Sequence, residues 1–382
     1  MARLVIVSNR IMLPRAHGER ERAGGMAVTL RDALRTCGGL WFGWSGEIAK
    51  TTSTTPKIAQ SGRIHYATID LGEADHDQFY NRFSNGTLWP LMHYRLGLLE
   101  FRRESLDGYL RINDAFSDAL RPLLRPDDLI WIHDYHLIPL AASLRRDGVA
   151  NRIGLFLHTP FPPAALFAAL PRYEALVNAL AAYDVIGLQI EDDRLNLQSV
   201  MTGHFHCDTT GWGELDLPSR RVLLRAIPVG IDAAAMNAMA EAAATAPEHR
   251  RLVDSLVGRQ LIVGVDRLDY SKGLPQRFEA YDRLLSGFAE HRSNVTFMQI
   301  APVSRGEVRQ YRDLRRELER LAGRINGRFA ELDWVPVRYL NRAFSRQTLA
   351  GFYRHARVGL VTPLRDGMNL VAKELRRGAE RR

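Results

Sequence analysis

The sequence predicts an α/β protein built from two doubly wound, Rossmann-like domains facing a cleft. Three observations carry that prediction. Short, continuous apolar runs recur along the chain, as in strands buried on both faces of a parallel sheet. Longer stretches with helical character separate them, and strand–helix alternation is the pattern of doubly wound units. The alternation breaks once, at the Ala-rich "AIPVGIDAAAMNAM", and a new series begins near Gln260. Domains of 1–230 and 231–382 follow, and 382 residues are enough for both.

In chain order the expected strands are "LVIVSN" (4–9), "DLIWIHD" (128–134), "RIGLFLH" (152–158), "DVIGLQ" (184–189) and "VLLRAIPVG" (222–230). The second series is "QLIVGVDR" (260–267), "NVTFMQIA" (294–301), "ELDWVPV" (331–337) and "RVGLVTP" (357–363). Segments such as "LPQRFEAYDRLLSGFAEH" (274–291) read as the helices between them. There is no internal repeat and no low-complexity tract.

Composition narrows the class. The chain is 46% hydrophobic and 25% charged, as globular proteins are. Its 52 Lys and Arg against 43 Asp and Glu leave +9, of which +3 falls in the eight residues after Glu374. No stripe of interleaved basic and aromatic residues is present, which argues against a nucleic-acid partner. Two cysteines, Cys37 and Cys207, stand without a CxxC spacing. That argues against a disulfide framework or zinc site and suits a reducing, cytoplasmic setting. The opening apolar run is four residues, too short for a signal-peptide core, and no apolar stretch reaches a membrane span.

Ligands of such sheets lie beyond the carboxyl ends of the strands. After the first strand come Arg10, a polar loop, and Gly24-Gly25 opening a helix. Glycines there let backbone N–H groups approach a phosphate, although a plain loop with a glycine start would look the same. "IHDYHLIP" places His133, Asp134 and His136 at a strand end, where a carboxylate can take a sugar hydroxyl. HDxH lacks a third metal ligand nearby, so no metal is expected. His158 ends the next strand, among prolines that stiffen its loop. "GVDRLDYSKGLPQRF" delivers Asp266 and Arg267, then Lys272-Gly273 before a helix starting near Pro275. An Arg fork and a Lys point charge five residues apart can both reach a diphosphate. Arg305 follows another strand. In "VTPLRDGMNLVAKE", Asp366 and Gly367 end a strand and open a helix. Eight residues on, Glu374 falls on the same helical side, with two oxygens for two ribose hydroxyls. The exposed amides near Met368 to Leu370 would face the ligand.

Together, "VSNR", "AGGMA", "GLWFGWSG", "FSNGTLWP", "IHDYHLIP", "HTPFPP", "VDRLDYSKG", "GRINGRF" and "TPLRDGMNLVAKE" closely resemble the trehalose-6-phosphate synthase family, in order from residue 1 to about 374. The resemblance implies a retaining GT-B glycosyltransferase that moves glucose from UDP-glucose to glucose 6-phosphate, without metal or cofactor, by a front-face route. It implies that Gly24, Gly25, Arg267, Lys272, Phe344 and the run Leu370, Val371, Ala372, Lys373, Glu374 bind the donor. His158 and Asp366 would hold the donor glucose, with Arg267 and Lys272 supporting the departing diphosphate. Arg10, Tyr80, Asp134 and Arg305 would hold glucose 6-phosphate. Trp89 and Thr159 would select the acceptor's anomeric hydroxyl, and either Trp41 or Trp44 would line the same pocket. Neither nucleic acid nor membrane is an expected partner, and a homotetramer is.

The same resemblance implies a longer second domain, because relatives continue well past this motif. The apolar pattern here stops at Leu375 and "RRGAERR" follows. A chain truncated by a frameshift or a fragmentary gene is therefore expected, with an incomplete second domain and marginal stability; the alternative is a genuine short basic tail. Two other functions remain beside the synthase: a transferase for another phosphorylated acceptor, and a non-catalytic remnant that binds nucleotide or partners.

Overall fold

The computed structural model describes residues 2–11, 13, 25–210, 212–217, 220–304 and 308–378. Contacts divide the chain into two compact units, with the changeover between Val229 and Gly230.

The first unit is built on a nine-stranded sheet. Its strands are β1 (Leu4–Arg10), β2 (Gly39–Ala49), β3 (Lys57–Ser61), β4 (Ile64–Gly72), β5 (Leu129–His133), β6 (Arg152–Phe156), β7 (Val185–Leu188), β8 (Glu214–Leu217) and β9 (Arg220–Ala226). They lie in the order β3-β4-β2-β1-β5-β6-β7-β9-β8. All neighbours are parallel except the two outermost pairs, β3 with β4 and β8 with β9. In the middle, Val5, Ile6 and Val7 are fully buried, which is what an unbroken β-branched run achieves when helices cover both faces. Helix α1 (Gly25–Cys37) crosses from β1 to β2, and α2 (Arg103–Leu120) buries Leu106, Tyr109, Ile112, Phe116 and Leu120 at helical spacing. Between them Asp77–Leu88 winds as a π-helix, a wide turn that is rare outside functional regions.

The second unit holds a four-stranded, wholly parallel sheet: β10 (Gln260–Val265), β11 (Val295–Ile300), β12 (Val337–Leu340) and β13 (Val358–Gly359), ordered β12-β11-β10-β13. Helices α3 (Leu274–Gly287), α4 (Arg309–Phe329), α5 (Arg346–His355) and α6 (Leu370–Gly378) complete the part that positions the site. Val263, Val265, Met298, Ile300, Phe352, Tyr353 and Leu375 share one core. Burial of Leu375 anchors the nine-residue α6 and contributes about 2 kcal/mol.

Two expected strands are corrected. The run 331–337 makes only an isolated bridge between Glu331 and Trp334, and β12 starts at Val337. Leu332 is fully exposed, and Pro336 has no N–H for a ladder, though its carbonyl still accepts from Phe297 N–H at 2.8 Å. The run 357–363 contracts to β13, and Asp366 lies in a loop, not at a strand end. Four strands went unread: β2 because glycines interrupt it, β3 and β8 because polar edge strands carry little apolar signal, and β4, which pairs with β3.

Candidate active site

In the second unit, β10 delivers its chain end into a turn built by carboxylates. Asp266 is buried and receives Arg277 Nη1 of α3 at 2.6 Å. Arg277, itself fully buried, also donates to Gln299 at 2.8 Å and to Thr362 at 3.1 Å. Asp266 is thus a structural anchor. Asp269 Oδ1 accepts the Ser271 N–H at 3.0 Å and caps the turn that ends in Lys272. Gly273 then takes φ +63°, and a Cβ there would meet the Thr362 carbonyl at 2.4 Å, so only glycine fits. The Arg267 side chain is half-exposed, with Nη2 3.9 Å from Asp269 Oδ2.

Lys272 and Asp366 are 94 residues apart in sequence and meet at 2.6 Å, each side chain only 11% exposed. Asn369 ties this pair to α6: its Nδ2 donates to Asp366 Oδ2 at 3.1 Å and its Oδ1 accepts Ala372 N–H at 3.2 Å. That refines the expected amide cradle. A helix leaves only its first N–H groups unbonded. With Ala372 capped, and Lys373 and Glu374 inside the helix, Leu370 and Val371 are the amides of that run left for a ligand. Glu374 is mostly buried, and Arg346 lies 3.1 Å from its Oε1. Burial pushes the Glu374 carboxyl above its ordinary pKa, while Arg346 pulls the other way. Phe344 packs edge-on against Phe352, with the Arg342 guanidinium 4.7 Å above its ring.

In the first unit, Arg10 and Tyr80 gather around Trp44. The Arg10 guanidinium stands 5.4 Å from the Trp44 ring, and Tyr80 is 6.1 Å from it. Gly46, at φ +94°, makes room for Arg10, since a Cβ there would fall 2.5 Å from the guanidinium. Strand parity separates the two tryptophans. Residues three apart on a strand point to opposite faces. Trp41 faces α1 in the core with Leu30 and Leu34 and donates to Ser8 Oγ at 2.9 Å. Trp44 faces Arg10. His76, which carries no pattern in the sequence, stacks 5.2 Å from Tyr80 and lies tilted, 4.9 Å from Trp44. Rings then continue from Tyr80 through His136 and Tyr135 to the buried Trp89, at 5.8, 4.0 and 5.7 Å.

A second cluster joins the ends of β5 and β6. Asp134 sits at φ +73°, an unusual conformation for a non-glycine residue, and its Oδ1 accepts the His158 N–H at 3.2 Å. His133 Nδ1 and His158 Nε2 are 3.1 Å apart. Burial lowers the pKa of both rings, His133 well below its ordinary value, so they share a proton as neutral imidazoles. Thr159 follows, also buried.

Gly24 and Arg305 lie outside the described residues; Gly25 is the first residue of α1. Cys37 and Cys207 are free thiols. Among the described residues no cluster of three or more His, Cys, Asp or Glu side chains could hold a metal, and no helix is long and apolar enough to cross a membrane.

Two α/β units, each on a largely parallel sheet, with cations and carboxylates in the strand-end loops, define the GT-B class of sugar transferases, and solved GT-B structures match the whole chain. More closely, the chain belongs to glycosyltransferase family 20, whose profile matches residues 2–377. It is 48% identical over 374 residues to the trehalose-6-phosphate synthase of Cronobacter sakazakii, covering 98% of this chain and 78% of that protein. Its structure resembles that of a UDP-forming alpha,alpha-trehalose-phosphate synthase from Burkholderia xenovorans in complex with glucose-6-phosphate. The TM-score is 0.94 at 44% identity, covering 99% of this chain and 83% of that one. An E. coli trehalose-6-phosphate structure bound with UDP-2-fluoro glucose matches with TM-score 0.92 at 46% identity, covering 99% of this chain and 82% of that one.

Proposed function

We propose that this chain transfers glucose from UDP-glucose to glucose 6-phosphate, giving α,α-trehalose 6-phosphate and UDP with the donor's anomeric configuration retained. The observation that carries the reading is the junction of the β10 turn with the start of α6. There Lys272, Asp366 and Asn369 join one half-exposed arginine, two open amides and a ribose-type carboxylate. It occurs in a family whose relatives are named for this activity.

The second unit is the nucleotide-sugar domain. Arg267 and Lys272 hold the diphosphate, Leu370 and Val371 offer amides to the nucleotide, Glu374 takes the ribose and Phe344 borders the base. The first unit is the acceptor domain. Arg10 takes the phosphate of glucose 6-phosphate, while Tyr80 and Asp134 take its hydroxyls. Trp89 and Thr159 shape the selection of its anomeric hydroxyl. His158 and Asp366 hold the donor glucose.

The acceptor's anomeric oxygen bonds to donor C1 as the bond from C1 to the diphosphate oxygen breaks. Attack comes on the face from which the diphosphate departs, and a phosphate oxygen takes the hydroxyl proton. Negative charge grows on the leaving diphosphate, so cations held beforehand lower the barrier more than they tighten substrate binding. A neutral His158 can accept or donate a hydrogen bond to a sugar hydroxyl without adding charge beside C1. On this reading the protein is a cytoplasmic homotetramer needing no cofactor.

The test is UDP release from UDP-glucose with glucose 6-phosphate, and the anomeric coupling of the isolated product by NMR. Glycerol 3-phosphate serves as competing acceptor, and GDP- and ADP-glucose as competing donors. A product whose two anomeric carbons are both α is expected. UDP binding without UDP release would overturn the reading in favour of a protein that only binds nucleotide.

A further inference from the structure

Arg346 is the first residue of α5, behind the N-cap Ser345, whose hydroxyl accepts the Thr348 N–H at 3.1 Å. A cation in the first turn opposes the helix dipole, so helix stability does not account for an arginine there. What it touches does. Its Nε and Nη2 approach Glu374 at 3.2 and 3.1 Å, and both contacts fall on the same oxygen, Oε1. The other oxygen, Oε2, accepts no hydrogen bond from the described residues. Phe344 stands two residues before Arg346, so one short segment reaches both the base-bordering ring and the carboxylate.

We propose that Arg346 is a positioning residue of the donor site: by clamping Glu374 through Oε1 it aims Oε2 at the 2′- and 3′-hydroxyls of the nucleotide ribose. This rests on the reading of Glu374 as the ribose partner. It also revises the simpler picture in which both carboxylate oxygens serve the ligand equally. A carboxylate free to rotate at χ3 would lose orientation when binding; one pinned at a single oxygen does not. Among the described residues Glu374 is otherwise held by its place on α6, beside the buried Leu375.

The experiment is calorimetric titration of the full chain with UDP and with 2′,3′-dideoxyuridine diphosphate. Hydrogen bonds to a charged group make the expected wild-type preference for UDP about tenfold or more. Arg346→Met should reduce that preference to within about threefold, and Arg346→Lys, a point charge without the fork, should keep part of it. KM for UDP-glucose should rise with the loss while kcat stays within about threefold, because the ribose is remote from C1. An unchanged preference for UDP in Arg346→Met overturns the proposal and leaves the Glu374 reading standing. Absence of any preference in the wild type overturns the Glu374 reading itself. Arg346→Gln gives the same two outcomes where the Met variant does not melt cooperatively.

Discussion

Arg277 is the charge in the second unit whose loss should be felt most. It is fully buried and bonds Asp266, Gln299 and Thr362 at 2.6, 2.8 and 3.1 Å. Arg277→Met keeps the volume and leaves the Asp266 carboxylate buried without its counter-charge. Breaking a buried pair in this way costs about 3–5 kcal/mol. For a unit near 150 residues that lowers the melting temperature by roughly 6–20 °C. The sign with pH is fixed by Asp266. Burial raises its pKa above the ordinary value near 3.8, and Arg277 opposes that rise. A group with a raised folded pKa contributes stability at low pH that is lost as pH climbs through that pKa. Removing Arg277 raises it further, so the deficit should be largest at neutral pH and shrink at acid pH as the carboxyl takes a proton. Scanning calorimetry of wild type and variant at both pH values measures this. Asp266→Asn combined with Arg277→Met should recover much of the loss. A deficit below about 1 kcal/mol, or one indifferent to pH, would refute the argument that Arg277 neutralises a buried carboxylate.

Three further outcomes are expected. Arg267→Ala should lower turnover by about a hundredfold or more with a smaller change in donor KM, measured by coupled UDP release; near-normal turnover would remove Arg267 from leaving-group stabilisation. The first unit should lose stability as pH falls below about 6.5, because unfolded His133 and His158 take protons that their buried neutral pair refuses; His133→Gln should flatten that slope in acid unfolding curves. Prolonged dialysis against a chelator should leave turnover unchanged, and loss of activity restored by a divalent cation would show that Arg267 and Lys272 do not suffice for the diphosphate.

Much of the sheet core was legible because its signal is local. Val5–Val7 is a continuous apolar run, and the wholly buried β11 is apolar but for Thr296 and Gln299; such segments have few other uses. The strand-end logic also led to Lys272, although nothing in the sequence says that Lys272 and Asp366 touch across 94 residues. What stayed hidden depends on long-range contact. Arg277 sits in a helix whose Glu279 and Arg283 face water, and Arg346 follows a serine as an ordinary surface residue would. Neither advertises its buried partner. Edge strands such as β3, exposed at every position, lack the apolar content that marks a strand. His76 was missed because a single histidine carries no pattern. Trp44 could have been separated from Trp41 once β2 was read as a strand, since alternation alone assigns them to different faces.

That alternation makes β2 intolerant of length changes. One face of the strand presents an indole to the core and the other presents an indole to Arg10, three positions on. A single-residue deletion ahead of Trp41 would invert every side chain that follows, exchanging the two tryptophans. The core packing and the Arg10 contact would fail in the same event, so the strand can be altered residue for residue but not lengthened or shortened. The register shift between Trp44 and Ile48 is where an inserted residue has the best prospect of being absorbed, because the ladder is already irregular there.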